Sequence, residues 1–209
     1  MQRLLHIDAS PRDTRSRSRN VTQAFMEALT AHKPQVNITT MDVWRTALPD
    51  LGDGMIEGRY NLIMGEDVPA EIKAAWDHIA TYVQDFLSYD GYIFSVPMWN
   101  FGIPYKLKHY IDVITQPRMI FTNDAAGNVT GHAAGKKAIL IAASAMPIGK
   151  VAGFEAYDFQ QAYLEKWLGF IGITDIACLR VAPTYGAPAD VEAVMAAARE
   201  EAKALAARL

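Results

Sequence analysis

Hydrophobic positions follow two different periods along the 209-residue chain. Five short runs, apolar or alternating, have the length and composition of β-strands. They lie at 3–8, 36–42, 91–96, 137–143 and 175–182. Elsewhere apolar residues recur every three or four positions, the spacing that predicts one buried face of an α-helix. These stretches lie at 18–29, 69–86, 103–114, 155–171 and 188–209. The pattern therefore predicts five strands that alternate with five helices.

Strands separated by helical stretches favour βαβ crossovers and a parallel sheet with helices on both faces. Five such units fit the flavodoxin-like doubly wound α/β arrangement, with strand order 2-1-3-4-5, better than a barrel, which needs eight units and about 250 residues. Two stretches, 43–68 and 115–135, show no clear period, and we expect them to be irregular. Since the chain has no internal repeat and no linker-like segment, residues 1–209 are expected to form a single domain.

Composition and charge exclude several classes of protein. With 51% hydrophobic and 21% charged residues, the chain is globular rather than disordered. A net charge of -3 argues against nucleic acid or an anionic membrane surface as a partner. No stretch approaches the ~20 apolar residues of a membrane span, and the first apolar run, broken by His6 and Asp8, is too short for a secretory signal. A cytoplasmic protein is therefore expected, and the single cysteine, Cys178, excludes an intrachain disulfide.

The predicted topology indicates where a ligand should bind. In doubly wound sheets, ligands lie beyond the carboxyl ends of the strands, at the point where the strand order reverses. In the order 2-1-3-4-5 that point lies between the first and third strands. The loops expected to line a site are therefore 9–18, 97–103 and, as their neighbour, 144–153.

The first of these loops reads "ASPRDTRSRSRN" and contains neither a dinucleotide-binding glycine motif nor a P-loop. It offers hydroxyls instead, in a turn where a helix is predicted to begin near Ser18, and these belong to Ser10, Thr14, Ser16 and Ser18. Further positive potential comes from Arg12, Arg15, Arg17 and Arg19. Unpaired N–H groups at a helix N-terminus and neighbouring hydroxyl donors suit a phosphate. Two other interpretations stay open here: an ordinary serine N-cap, and an arginine-rich patch for nucleic acid.

The loop after the third strand, "PMWNFGIP", is rich in bulky side chains, whereas surface turns are normally built from Gly, Pro and small polar residues. We expect Met98, Trp99 and Phe101 to wall a flat ring and Asn100 to hydrogen-bond its heteroatoms. The alternative is that some of these side chains belong to the core. Because this loop, which starts at Pro97, faces the serine-rich loop across the switch point, a ligand with a phosphate and a flat ring is predicted. Flavin mononucleotide (FMN) has both a phosphate and a flat ring and fits this description.

Other chemistries find little support in the sequence. The five histidines show no metal-ligand spacing, and there is neither a Cys pair nor an H-E-x-x-H motif, so no metal site is expected. The lack of a G-x-S-x-G motif argues against a serine hydrolase. With a flavin the cofactor carries the redox chemistry, so no catalytic side chain is predicted.

These motifs together resemble the FMN-dependent NADH-azoreductase family, flavodoxin-like homodimers that also reduce quinones. The resemblance covers about residues 2–185 and rests on the serine-rich loop, on "PMWNFGIP" with the "LK…ID" helix after it, on "GKKAIL" and on "DFQQAYLEKWLGFIGI". It implies a homodimer that binds FMN, takes electrons from NADH or NADPH, and reduces quinones and aromatic azo compounds in two successive (ping-pong) steps of hydride transfer. The residues expected to hold FMN are Ser10, Ser16, Arg17, Ser18, Pro97, Met98, Trp99, Asn100, Phe101, Ser144, Ala145, Met146 and Pro147.

The chain departs from the family pattern at several places. Trp99 stands where relatives have Tyr, and Tyr105 where they usually have Ser. The loop after the fourth strand has Ala-Met-Pro at 145–147 in place of a glycine-rich turn, and because proline lacks an N–H donor, the contact with the ring must differ here. Residues 118–131 lack the usual features of that segment, which leaves the substrate range open. Two other functions are also considered: a non-enzymatic electron carrier, which the weak net charge disfavours, and a flavin-binding sensor without turnover.

Overall fold

A five-stranded parallel sheet forms the centre of the protein. The structure is a computed structural model and describes residues 2–52 and 54–209. The strands within these ranges are β1 (Arg3–Asp8), β2 (Asn37–Asp42), β3 (Gly91–Pro97), β4 (Phe121–Asn123), β5 (Val129–Gly131), β6 (Lys137–Ala143) and β7 (Asp175–Val181), of which β4 and β5 lie outside the central sheet. The sheet has the order β2-β1-β3-β6-β7 with all pairs parallel. Since β6 and β7 are its fourth and fifth strands along the chain, the predicted order 2-1-3-4-5 and the flavodoxin-like fold are confirmed.

Helices cover both faces of this sheet. They are α1 (Arg17–His32), α2 (Met55–Met64), α3 (Ala70–Leu87), α4 (Tyr105–Ile114), α5 (Phe159–Phe170) and α6 (Pro188–Ala207). Apolar side chains of α1 and α6 form one buried cluster with one face of the sheet, and those of α3, α4 and α5 form a second cluster with the other face. The apolar stripe predicted for α3 is buried as expected; its four fully buried members are Trp76, Ile79, Val83 and Phe86. Each such side chain contributes about 1.5 to 3 kcal/mol through burial.

Two stretches that were expected to be irregular contain secondary structure, so these predictions were wrong. Residues 43–68 include α2, which is flanked by Gly54 and Gly65, both at positive φ. Apolar residues lie on both sides of this helix, so that no single stripe stands out: Ile56, Tyr60 and Met64 are exposed, whereas Met55 is buried. Residues 115–135 include an antiparallel hairpin of β4 and β5. Strands of three residues are too short to show a period in the sequence.

The helix predicted over 155–171 begins later than expected. Residues Phe154–Tyr157 form a 3₁₀ turn, and α5 starts only after Asp158, whose carboxylate accepts the N–H of Gln161 at 2.9 Å as an N-cap. The helix ends before Gly172, whose φ of +102° suits a glycine after a helix. None of the helices within 2–52 and 54–209 is long and apolar enough to cross a membrane.

Candidate functional site

Backbone hydrogen bonds join the three predicted loops side by side at the carboxyl edge of the sheet. The N–H of Ala9, after β1, donates to the carbonyl of Ser95 at 2.9 Å, and the N–H of Met98, after β3, donates to that of Ala143 at 2.7 Å. Parallel strands end at a common edge, so loops that are far apart in sequence become neighbours. The structure therefore brings together the loops after β1, β3 and β6, with β1 and β3 adjacent at the switch point.

Three buried hydroxyls line the loop after β1. Ser10, Ser16 and Ser18 are each at most 3% exposed. Ser16 is the N-cap of α1: its Oγ accepts the N–H of Arg19 at 3.1 Å and lies 3.3 Å from the Oγ of Ser18. Arg17, the first residue of the helix, is exposed. The N-cap interpretation and the phosphate interpretation are compatible, because a serine hydroxyl that accepts one bond can still donate its proton.

An ion-pair network that sequence analysis did not identify lies behind this loop. The guanidinium of Arg19 pairs with the buried carboxylate of Asp8, with Asp13 at 3.1 Å and with Asp42 at 3.6 Å. Asp8 also accepts the N–H of Ser10 at 3.1 Å. Burial raises the pKa of the Asp8 carboxyl, although the Ser10 N–H and Arg19 act in the opposite direction. Because its residues are spread over β1, the loop after it, α1 and β2, this network could not be recognised from any short stretch of the chain.

The loop after β3 forms a tight turn that exposes its central residues. Trp99 and Gly102 exchange backbone hydrogen bonds of 3.0 and 2.9 Å, and φ is positive at both central residues, +45° at Asn100 and +73° at Phe101. A positive φ costs a bulky residue such as Phe about 1 to 3 kcal/mol, and such strain persists mainly at functional sites. Trp99 is 38% and Phe101 43% exposed, whereas Met98 is half-buried. The alternative that Trp99 and Phe101 are core residues is therefore wrong.

Three aromatic rings cluster beside this turn. The ring centroid of Trp99 lies 5.4 Å from that of Trp44, and the centroid of Tyr105 lies 5.1 Å from Trp44 and 6.3 Å from Trp99. Trp44 follows β2 and donates its Nε1–H to the carbonyl of Ala9 at 2.9 Å, which ties the cluster to the loop after β1. Trp44 lies outside the three loops that were expected to line the site. The signal that could have identified it is its position just after the carboxyl end of a strand.

An apolar groove of about 970 Å³ opens next to the turn and runs between α4 and α5. Its aromatic and aliphatic walls are Leu51, Trp99, Ile103, Tyr105, Phe159, Ala162 and Tyr163, and its polar side chains are Asn100, Lys108, His109, Asp112 and Lys166. The backbone N–H of Phe159 donates to the carbonyl of Phe101 at 3.1 Å. The start of α5 thereby fixes the turn to the rim of the groove. A pocket of this size and apolar character is typical of small-molecule sites.

In the loop after β6, Ser144 forms hydrogen bonds with other residues of the protein. Ser144 is buried, and its hydroxyl donates to the carbonyl of Met146. The Ser144 carbonyl accepts both the N–H and the hydroxyl of Thr184, at 2.9 and 3.0 Å. Ala145 is exposed, while Met146 and Pro147 are half-buried. The side chains of 145–147, rather than the Ser144 hydroxyl, are therefore available to a ligand.

A buried histidine lies in the sheet below the serine-rich loop. His6 Nδ1 is 3.1 Å from the hydroxyl of Thr40 and Nε2 is 2.6 Å from that of Ser95, which in turn donates to Thr22 at 2.7 Å. Burial, assisted by the charge of Arg19, lowers the pKa of His6 to about 4, so the ring is neutral near pH 7. No group of three or more His, Cys, Asp or Glu within the described ranges is placed to hold a metal ion.

Comparison with known proteins identifies the family. The chain matches a family model described as the flavodoxin-like fold over residues 2–206. It is 40% identical to the FMN-dependent NADH:quinone oxidoreductase of Desulfotalea psychrophila, over 100% of this chain and 98% of that protein. Two solved structures are also similar. An azoreductase from Bacillus anthracis str. Sterne has a TM-score of 0.89 and 25% identity over 100% of both chains. An FMN-dependent NADH-azoreductase from Bacillus anthracis str. Ames Ancestor, in complex with FMN, has a TM-score of 0.88 and 25% identity over 99% of this chain and 98% of the other. The resemblance noted in the sequence is confirmed, and the chain belongs to the flavodoxin-like fold family and, within it, to the FMN-dependent NADH:quinone oxidoreductases.

Proposed function

We propose that this protein is an FMN-dependent NADH:quinone oxidoreductase that also reduces aromatic azo compounds. The observation that carries the proposal is the pairing of two features across the edge of the sheet: buried serine hydroxyls at the N-terminus of α1, and an exposed, strained aromatic turn after β3. A ligand that satisfies both has an anionic end and a flat ring. The relatives with which the chain shares its whole length are named for this cofactor and this reaction.

The donor set of the site fits FMN. Ser10, Ser16 and Ser18, with the free N–H groups at the start of α1 and the cation of Arg17, would hold the phosphate, because hydroxyl and amide donors at a helix N-terminus suit a dianion. Residues 97–101 would wall the ring on one side, with the Asn100 amide as its polar partner. Residues 144–147 would line another edge of the ring, where Pro147 offers no N–H.

Bound FMN would supply the hydride chemistry that couples the oxidation of NADH to the reduction of the second substrate. The protein's own side chains would bind and orient the cofactor and the substrate, and would exclude water from them. Trp99 and Tyr105 present aromatic surface on which a flat quinone or azo compound can stack, at the mouth of the apolar groove. No protein side chain is assigned a proton transfer or a covalent role.

We further propose that the protein acts as a homodimer. Large apolar side chains are exposed on α2 and at the start of α5, namely Ile56, Tyr60, Met64, Tyr157 and Phe159. These exposed side chains add to the apolar groove beside α5, and a large apolar surface is typical of a protein–protein interface. A second copy seated there would shield the open side of the ring from water. The cytoplasmic location expected from the sequence stays a prediction.

Anaerobic mixing of the purified protein with NADH tests the enzymatic function. Reduction should bleach the flavin absorption near about 450 nm, and adding a quinone should restore it. Steady-state rates with varied NADH and quinone should give parallel double-reciprocal lines, the pattern of two successive half-reactions. A flavin that NADH does not bleach would support an electron carrier or a sensor instead.

A further inference from the structure

Arg19 contacts both ends of the proposed phosphate loop. Its guanidinium Nη2 donates to the carbonyl of Ser10 at 3.1 Å, and its backbone N–H donates to the hydroxyl of Ser16 at 3.1 Å. Ser10 lies near the start of the loop, and Ser16 is its last residue before α1. The Arg19 side chain therefore fixes the loop backbone at Ser10, whereas the bond to Ser16 comes from the main chain and does not depend on the side chain at position 19.

Arg19 also compensates a concentration of negative charge beside the loop. The carboxylates of Asp8, Asp13 and Asp42 all lie within 3.6 Å of its guanidinium. Arg45 is the second cation of the group, at 3.1 Å from Asp13 and 3.6 Å from Asp42. Arg45 is largely exposed, whereas Asp8 is buried and pairs with Arg19. Without Arg19, the buried Asp8 carboxylate would lose the cation that pairs with it beside the proposed phosphate site.

We propose that Arg19 is a positioning residue for the cofactor phosphate: its guanidinium holds the loop backbone at Ser10 and neutralises Asp8. This inference rests on the proposed assignment of the loop to the phosphate. Arg19 acts through Ser10 and the Asp8 carboxylate and does not itself bind the phosphate. Its contribution is therefore specific for FMN over riboflavin, which has the same ring and no phosphate.

The variant Arg19→Gln tests the proposal on the full-length protein. After the bound flavin has been removed by dialysis, the affinities for FMN and for riboflavin are measured by the quenching of flavin fluorescence. FMN affinity should fall about tenfold or more, because the loop backbone at Ser10 loses its guanidinium partner and the unpaired Asp8 carboxylate repels the dianion. Riboflavin affinity should stay within about twofold of the wild type. Arg19→Lys, which keeps the charge, should recover part of the loss.

Arg45→Gln is the matched control, since Arg45 contacts Asp13 and Asp42 from the exposed side of the same network. It should change FMN affinity by less than about twofold, as exposed ion pairs contribute little. The double variant Asp8→Asn with Arg19→Gln separates the two parts of the proposal, because it removes the uncompensated charge. It should bind FMN more tightly than Arg19→Gln alone, and it also keeps the test possible if Arg19→Gln fails to fold.

Two results would overturn the role of Arg19. One is an equal loss of FMN and riboflavin affinity in Arg19→Gln, which would mean that the residue supports the fold as a whole. The other is an unchanged FMN affinity. The wild type separates this from a failure of the proposed function: if the wild-type protein binds FMN no more tightly than riboflavin, the phosphate loop itself has been misassigned.

Discussion

Replacing Ser18 by Ala should weaken FMN binding and leave riboflavin binding unchanged. Ser18 is buried on the first turn of α1, with its Oγ 3.3 Å from that of Ser16. Removing one hydroxyl donor to a charged acceptor costs about 1.5 to 3 kcal/mol, and each 1.4 kcal/mol changes affinity about tenfold. The dissociation constant for FMN should therefore rise by about 10- to 140-fold.

A comparison with Ser16→Ala separates ligand binding from helix capping. Ser16, not Ser18, is the N-cap that accepts the Arg19 N–H. Ser16→Ala should therefore weaken FMN binding and also lower the free energy of unfolding by about 1 kcal/mol, the usual cost of losing a serine cap. Ser18→Ala should leave the cap intact.

Fluorescence titration with FMN and riboflavin, together with thermal unfolding of each flavin-free variant, measures both effects. Thr14→Ala is the control, because Thr14 is an exposed hydroxyl of the same loop that lies outside α1. It should change neither affinity by more than about twofold. If Ser18→Ala weakened FMN and riboflavin equally, or changed neither, the loop would not be the phosphate site.

Three further predictions concern the ring side, the buried histidine and the assembly. Trp99→Ala should lower the free energy of unfolding by only about 1 to 2 kcal/mol, because Trp99 makes ring contacts at a partly exposed position. The variant should lower quinone turnover more than FMN affinity. A much larger loss of stability with unchanged turnover per flavin would contradict this. For His6, the unfolded chain binds a proton between pH 6.5 and about 4 that the folded chain does not, so stability should fall with falling pH through this window, by about 3 kcal/mol in total. Denaturant unfolding of the wild type and of His6→Asn at several pH values should show this slope in the wild type alone, and parallel curves would refute it. Light scattering should give about twice the chain mass of 23.1 kDa, and Met64→Glu should shift the mass toward the monomer; an active wild-type monomer would contradict the dimer.

Much of the fold could be predicted because its causes are local. The apolar stripe of α3 and the continuous apolar run of β6 both follow from the periods of a helix and a buried strand. The alternation of these elements then implies a parallel sheet and a ligand site at its switch point. The serine-rich loop and the turn at 98–101 could be singled out for the same reason, since their residue types are unusual for the places that they occupy.

What the sequence pattern could not predict depends on contacts between distant segments. α2 escaped prediction because apolar residues occupy its exposed side, at Ile56, Tyr60 and Met64, as well as its buried side, at Met55, so that no single apolar stripe is visible. The cluster of Trp44, Trp99 and Tyr105 exists because the carboxyl ends of β2 and β3 lie on the same edge of the sheet. The pairing of Arg19 with Asp8 and Asp42 requires β1, α1 and β2 to be in place, because charged side chains carry no information about their partners until the backbone brings them within a few ångströms. Local periodicity therefore sufficed for the elements and the location of the site, whereas its internal geometry and charge balance arise only from the packing of the whole chain.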